Sequence, residues 1–299
     1  MLAFVIRRTL QAAPILLGVS LVLFALVHLL PGHQADLLLP PAAPPDRPLY
    51  LQYLVWLGHS ITGDLGFSVF NASPVAGQVL AALGNTLELA VPASLLGIGL
   101  GLALGLVAAF HRNRWPGKIV NGVASVLVSL PPYWCAIMLL LLSAVLHRWL
   151  PAGAMGEADL KSGFQLHLVL PVLALACIPM GAVGQQVRIA VLETLRREFP
   201  TALAARGLPG WPILRHVCRN AAPSVLVSIG PPLGTLLGGS ILVETVFDWP
   251  GSGHLMHVAI LHRDIPVLLA TLLVLAVLFI VLMLLIDIAR AAIDPRLRR

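Results

Sequence analysis

Apolar residues dominate six stretches of the chain, 9–30, 87–110, 119–145, 166–187, 225–247 and 267–288, separated by more polar segments. A bilayer core is crossed by about 20 mostly apolar residues of helix. The pattern therefore predicts six transmembrane helices and an all-α polytopic membrane protein. The third, fourth and fifth stretches contain Pro131 and Pro132, Pro171 and Pro179, and Pro231 and Pro232. Each proline leaves a carbonyl without its helical donor and favours a kink, and in lipid such a break needs neighbouring protein. The first stretch follows Arg7 and Arg8 and so imitates a secretory signal. It continues for about 20 residues without a small-residue cleavage site, which reads as a retained helix.

The charges orient these spans. Fifteen of the 19 lysines and arginines, from Arg7 and Arg8 through Arg112, Arg114 and Lys118 to Arg298 and Arg299, fall on one side; only Arg47, Arg148, Lys161 and Arg263 fall on the other. Cytoplasmic loops keep the positive excess, so both termini are expected in the cytoplasm. The net charge of +6 thus follows from topology and does not call for a nucleic-acid partner.

Two polar segments are longer than a connection requires. Residues 31–86 lie on the outer side, where a proline-rich stretch (Pro40, Pro41, Pro44, Pro45, Pro48) precedes Tyr50, Tyr53 and Trp56. This segment is expected to fold against the outer surface. Residues 188–224 lie on the cytoplasmic side and read as two short helices broken at Gly207-Leu208-Pro209-Gly210, with Gly207 as a left-handed stop. In the second helix Ile213, Leu214, Val217, Cys218 and Ala221 share a face, while Arg215, His216 and Arg219 lie elsewhere.

Composition agrees: 58% of residues are hydrophobic, 11% are charged and the mean hydropathy is +0.92, which excludes an ordinary soluble domain. Cys135, Cys177 and Cys218 have no paired spacing for zinc or a disulfide framework. Eight of the ten histidines (His28, His33, His59, His147, His167, His254, His257, His262) fall toward the outer side but are scattered over five regions, so no metal site is assigned. There is no GxxxxGK[ST] loop and no HExxH, and Gly251-Ser252-Gly253-His254 reads as an external turn. The chain is therefore read as a non-enzyme. Glu88 and Glu244 sit near the outer ends of their spans, where an acid faces protein or a polar path. Asp287 and Arg290 are at helical pairing distance.

The ordered set of motifs resembles the permease subunits of bacterial ABC importers for dipeptides, oligopeptides and nickel. It comprises Val5-Ile6-Arg7-Arg8, Leu30-Pro31-Gly32, Gly63-Asp64-Leu65-Gly66-Phe67-Ser68 with Pro74-Val75, and Asn85-Thr86-Leu87-Glu88-Leu89. It continues through 129–134, Trp149-Leu150-Pro151, Arg219-Asn220-Ala221 with Pro223, Glu244 to Phe247, Trp249-Pro250-Gly251 with Gly253, and Asp294-Pro295-Arg296.

The resemblance implies a type I ABC importer permease fold in the bacterial inner membrane. Its parts would be an N-terminal segment and first span over 1–30, a periplasmic segment over 31–86, and a five-helix core over 87–299 with a coupling loop at 188–224. Glu198, Phe199, Thr201, Ala202, Ala205, Arg206 and Gly207 match the coupling helix, with departures at Pro200, Leu203 and Ala204. It implies pathway or gate roles for Tyr133, Trp134 and Glu244, and docking of a binding protein at Asp64, Phe67, Trp249 and Pro250. The implied partners are a second homologous permease, two ATPase subunits that bind ATP and Mg, a periplasmic or lipid-anchored substrate-binding protein, and membrane lipid. The chain itself would hold no cofactor and no metal. Peptide is the expected cargo, with nickel or a metal chelate as the alternative. An ion-coupled secondary transporter would also use intramembrane acids and broken helices, but it gives the basic cytoplasmic loop no task and is often built from inverted repeats, of which the sequence shows none.

Overall fold

The computed structural model describes residues 2–29, 48–146 and 164–293. Leu30-Pro31-Gly32, Pro40 to Pro45, Trp149-Leu150-Pro151 and Asp294-Pro295-Arg296 lie outside the described residues, as do His33, Arg47, His147, Arg148 and Lys161. The described residues form ten helices: α1 (Leu2–Leu29), α2 (Leu49–Ile61), α3 (Val75–Phe110), α4 (Trp115–Ser129), α5 (Pro132–Leu146), α6 (Phe164–Leu195), α7 (Glu198–Ala205), α8 (Gly210–Val246), α9 (Ser252–Leu261) and α10 (Ile265–Ile293).

Five helices, α1, α3, α6, α8 and α10, are long and apolar enough to cross a bilayer. The predicted third span is a bent pair instead: α4 and α5 meet at 110° across Leu130 and Pro131, and counted as one span they bring the number to six. Neither Pro131 nor Pro132 can donate a backbone hydrogen bond back into α4, so the helix ends at Ser129. The other prolines do not end their helices. α6 runs on through Pro171 and Pro179, and α8 through Pro223, Pro231 and Pro232.

Helix length exceeds the apolar stretches in two places. α8 has 37 residues. At about 1.5 Å per residue it spans about 55 Å, nearly twice a hydrocarbon core of about 30 Å. The second loop helix foreseen from the 213–221 periodicity is thus the N-terminal end of the fifth span itself. α3 likewise begins at Val75, twelve residues ahead of its predicted apolar start.

The chain divides into two compact units, one of Met1–Leu87 with Asp248–Leu285 and one of Glu88–Phe247 with Ile286–Arg299. In the first, α2 lies on α1. The Ser20 and Tyr53 hydroxyls hydrogen-bond at 2.8 Å, His28 Nε2 meets Gln52 Oε1 at 3.2 Å, and the Phe24 ring packs on Tyr53 and Trp56. Part of the 31–86 segment is thereby packed onto the first helix. Val75 and Val79 of α3 pack with Ala259 of α9 and Val267 and Ala270 of α10.

In the second unit, Gly97, Gly101 and Gly105 recur every four residues along α3 and face α6. A Cβ at Gly101 would stand 2.9 Å from the Met180 carbonyl oxygen, and one at Gly105 would stand 2.5 Å from both the Gly184 carbonyl oxygen and Val187 Cβ. Small residues at this spacing let two membrane helices approach backbone to backbone, where packing replaces the hydrophobic drive that lipid does not supply. Val183, Val187 and Val191 of α6 then pack with Val217 and Ala221 of α8 in one buried cluster.

Candidate functional site

The predicted coupling residues lie on α7 and its stop, all within the second unit. Glu198 opens the helix, where a carboxylate suits the positive end of the dipole. Phe199 is half-buried and packs on the Val187, Val191 and Val217 cluster, and Pro200 is buried. Thr201, Ala202, Ala205, Arg206 and Gly207 are exposed together with Glu198. Two of the three departures from the family pattern, Pro200 and Leu203, therefore belong to the inward side of α7, and only Ala204 is exposed.

The helix ends in a Schellman turn. Gly207 N–H donates to the Ala204 carbonyl at 2.9 Å, Leu208 N–H donates to the Leu203 carbonyl at 3.3 Å, and Gly207 has φ +80°. Glycine adopts that conformation without the Cβ clash of other residues. Within four residues the chain re-enters helix at Gly210, so α7 is tied to α8 by a short, hydrogen-bonded link.

A cavity of about 530 Å³ opens in the same unit, walled by α4, α5, α6 and α8. It sits at the proline breaks: Leu127, Val128, Leu130 and Pro132 bound it at the α4–α5 bend, and Pro231 and Pro232 bound it on α8. Its polar wall is made of Gln185, Gln186, Ser228 and Thr235, none of which the motifs single out. The Pro131-Pro132 and Pro231-Pro232 pairs were the available signal. α4, α5 and α6 follow one another in the chain, and α8 brings the second proline pair to the same space only through folding. Tyr133 and Trp134 follow Pro132 directly and are 44% and 43% exposed, but neither is a lining residue. Glu244 is fully buried one turn from the end of α8 and is not part of this cavity.

The four residues expected to dock a binding protein all fall in the first unit. Asp64 and Phe67 lie in the loop between α2 and α3. There Asp64 Oδ1 accepts from Gly66 N–H at 3.2 Å and its Oδ2 meets His59 Nδ1 at 3.0 Å. Phe67 forms a single antiparallel bridge with Pro74 and leaves its ring 65% exposed. Trp249, in contrast, is only 3% exposed: its Nε1 donates to the Asn85 carbonyl at 2.9 Å, while Asn85 Nδ2 donates to the Pro250 carbonyl at 2.8 Å. Trp249 anchors the turn and Pro250 is its exposed member.

A second anchor had no signal in the motifs. Asp264 is buried and accepts from the Ser68 hydroxyl and from the backbone N–H groups of Val69 and Phe70, both at 3.3 Å, and its Oδ1 lies 3.5 Å from Val267 N in the first turn of α10. One carboxylate thereby caps a helix and fixes the loop that carries Phe67. Phe70 stacks on His262 beside it, with ring centroids 3.8 Å apart.

These arrangements are a shaped space, an exposed small-residue helix and an anchored loop. Residues 101–299 match the family described as binding-protein-dependent transport system inner membrane component. The chain is also 33% identical over 332 aligned residues, covering all of both chains, to the dipeptide transport system permease protein DppB of Alkalihalophilus pseudofirmus. It is 33% identical over 311 residues to the glutathione transport system permease protein GsiC of Escherichia coli strain K12, covering all of this chain and 99% of that one. With helices long enough to span a bilayer and similarity over its whole length, the chain belongs to the inner-membrane permeases of binding-protein-dependent ABC importers, in the peptide and nickel branch of that family.

Proposed function

We propose that this chain is one permease subunit of an ATP-driven importer that moves di- or oligopeptides across the bacterial inner membrane. The observation that carries this reading is end-to-end similarity to permeases named for dipeptide and for glutathione, both peptide cargoes. No relative named above supports the nickel or metal-chelate alternative, and membership in a binding-protein-dependent family speaks against an ion-coupled secondary transporter.

In this reading a second, similar permease pairs with the chain and two ATPase subunits supply ATP hydrolysis with Mg. A periplasmic or lipid-anchored binding protein delivers cargo. The excess of basic residues supports a cytoplasmic side for 188–224 and both termini. The exposed face of α7, with Thr201, Ala202, Ala205 and Arg206, enters a groove of the ATPase, and short side chains permit close approach there. Motion of α7 passes through the Gly207 turn and the Phe199 contact into α6 and α8, which are walls of the cavity. On the outer side Asp64, Phe67 and Pro250 meet the binding protein, with Trp249 and Asp264 positioning them. Tyr133, Trp134 and Glu244 act as pathway or gate residues. The organisation into 1–30, 31–86 and a core of 87–299 belongs to the same proposal.

The test is copurification of the tagged chain in mild detergent, with mass spectrometry of its partners and ATPase assays with candidate binding proteins. Recovery of a second permease and of ATPase subunits, with hydrolysis stimulated by a peptide-loaded binding protein, is the expected result. A chain that moves solute alone and without ATP overturns it.

A further inference from the structure

We infer that the cavity between α4, α5, α6 and α8 binds the amino end of the peptide, its α-ammonium and first amide N–H, through backbone carbonyls that prolines deprive of their helical donors. This rests on the peptide-importer reading above.

In an α-helix each carbonyl accepts from the N–H four residues further on. Pro131 and Pro132 bring no N–H to Leu127 and Val128, and Pro231 and Pro232 bring none to Val227 and Ser228. Arg290 Nη2 donates to the Val227 carbonyl, so one carbonyl freed in this way already holds a cationic donor. The other three belong to residues that line the cavity. Leu127 and Val128 are also in the last turn of α4, the negative end of its dipole.

The side chains add to the same polarity. The Ser228 hydroxyl donates to the Val225 carbonyl at 2.8 Å, and the Thr235 hydroxyl to the Pro232 carbonyl at 2.9 Å. Gln185 Nε2 donates to Ser125 Oγ at 3.2 Å. Each has committed a hydrogen elsewhere and keeps oxygen lone pairs for a ligand. Among the described residues that line the cavity none is charged, and the uncommitted side-chain N–H groups are confined to the Gln185 and Gln186 amides. Acceptors therefore outnumber donors, without a fixed anion.

Such a wall favours an N–H-bearing cation over a carboxylate, and by dipoles instead of a full counter-charge. Transport needs that balance, because a site must be favourable enough to enter and weak enough to leave. Half-helix ends and unwound carbonyls hold cations in other membrane transporters for the same reason. The volume is within the range of about 300–1,000 Å³ usual for small-molecule sites.

The test uses the complete importer in proteoliposomes, with its binding protein and ATP, and dialanine as the transported probe. Thr235→Lys places a tethered ammonium in the cavity and Thr235→Glu places a carboxylate of similar length. The inference expects Thr235→Lys to lower uptake by about tenfold or more, the scale of a lost charge-assisted hydrogen bond, and Thr235→Glu, which keeps an acceptor there, to lower it several-fold less. Copurification of the partner subunits is measured for both, so that a loss of uptake is read only in assembled complexes. Equal losses in both variants, or unchanged uptake in both, overturn the inference and leave the importer reading standing. Absence of ATP-driven dialanine uptake by the unsubstituted importer removes both.

A second measurement is independent of uptake. In a background carrying Cys135→Ala, Cys177→Ala and Cys218→Ala, Thr235→Cys is labelled with a cationic and an anionic methanethiosulfonate. The cationic reagent should react several-fold faster relative to the same pair of rates on free cysteine, and dialanine should slow it. Equal relative rates, or faster anionic labelling, contradict the inference.

Discussion

Asp264 and Asp64 have the same side chain in the same unit and opposite environments. Asp264 is buried and serves one hydroxyl and two backbone N–H groups of the 68–70 loop, so Asp264→Ala strands three donors. Leaving a buried donor unsatisfied costs about 1–3 kcal/mol, which applies in full to the buried Ser68 hydroxyl, while the Val69 and Phe70 N–H groups, on exposed residues, recover part of their loss from water. The substitution is expected to destabilise the protein by at least about 2 kcal/mol, read as earlier thermal inactivation in detergent. Asp64 is exposed and its partners are local, so Asp64→Ala is expected to change stability by no more than about 0.5 kcal/mol. Equal effects of the two would contradict the anchoring role of Asp264. Motifs in the sequence point to Asp64 and not to Asp264, because a cap that acts on a loop almost 200 positions earlier has no local pattern. Gly207 is the opposite case: a glycine ahead of Leu208-Pro209 is a local signal, and the left-handed conformation expected there is the one observed.

The helices themselves were legible where their cause is local. Runs of about 20 apolar residues mark spans because lipid cannot satisfy an open backbone. Their ends were less legible, since α3 and α8 continue into polar sequence for as long as one face stays covered, as Val217 and Ala221 are on α8. The Pro131-Pro132 break was visible, but its angle of 110° depends on what α5 packs against. Glycines on one helix separate by face in the same way. A side chain at Gly105 would meet α6 within 2.5 Å, whereas one at Gly99 meets nothing within 4 Å. Gly99→Ala should therefore be neutral or stabilising by up to about 1 kcal/mol, the difference in helix propensity. Gly105→Ala should lower the inactivation temperature by forcing α3 and α6 apart. A lowered temperature for Gly99→Ala with none for Gly105→Ala would show that the close approach is wrong. The cavity was not legible at all, because its walls come from residues 127 to 235, and only folding makes them neighbours.

At the scale of the whole molecule, the proposed function has nucleotide-driven motion enter at α7 and reach the cavity through α6 and α8. Gly207→Pro is the substitution that separates insertion from coupling. Proline cannot adopt φ +80°, and it removes the N–H that donates to the Ala204 carbonyl, while the apolar spans are untouched. The most direct measurement is peptide uptake into proteoliposomes that contain this chain, its partner permease, the ATPases and the binding protein, with and without ATP, for the natural chain and for Gly207→Pro. ATP-dependent accumulation is expected for the natural chain and loss of accumulation for Gly207→Pro, which still inserts in the membrane at normal levels. Accumulation without ATP, or full ATP-dependent uptake by a fully assembled Gly207→Pro complex, would contradict the proposed function.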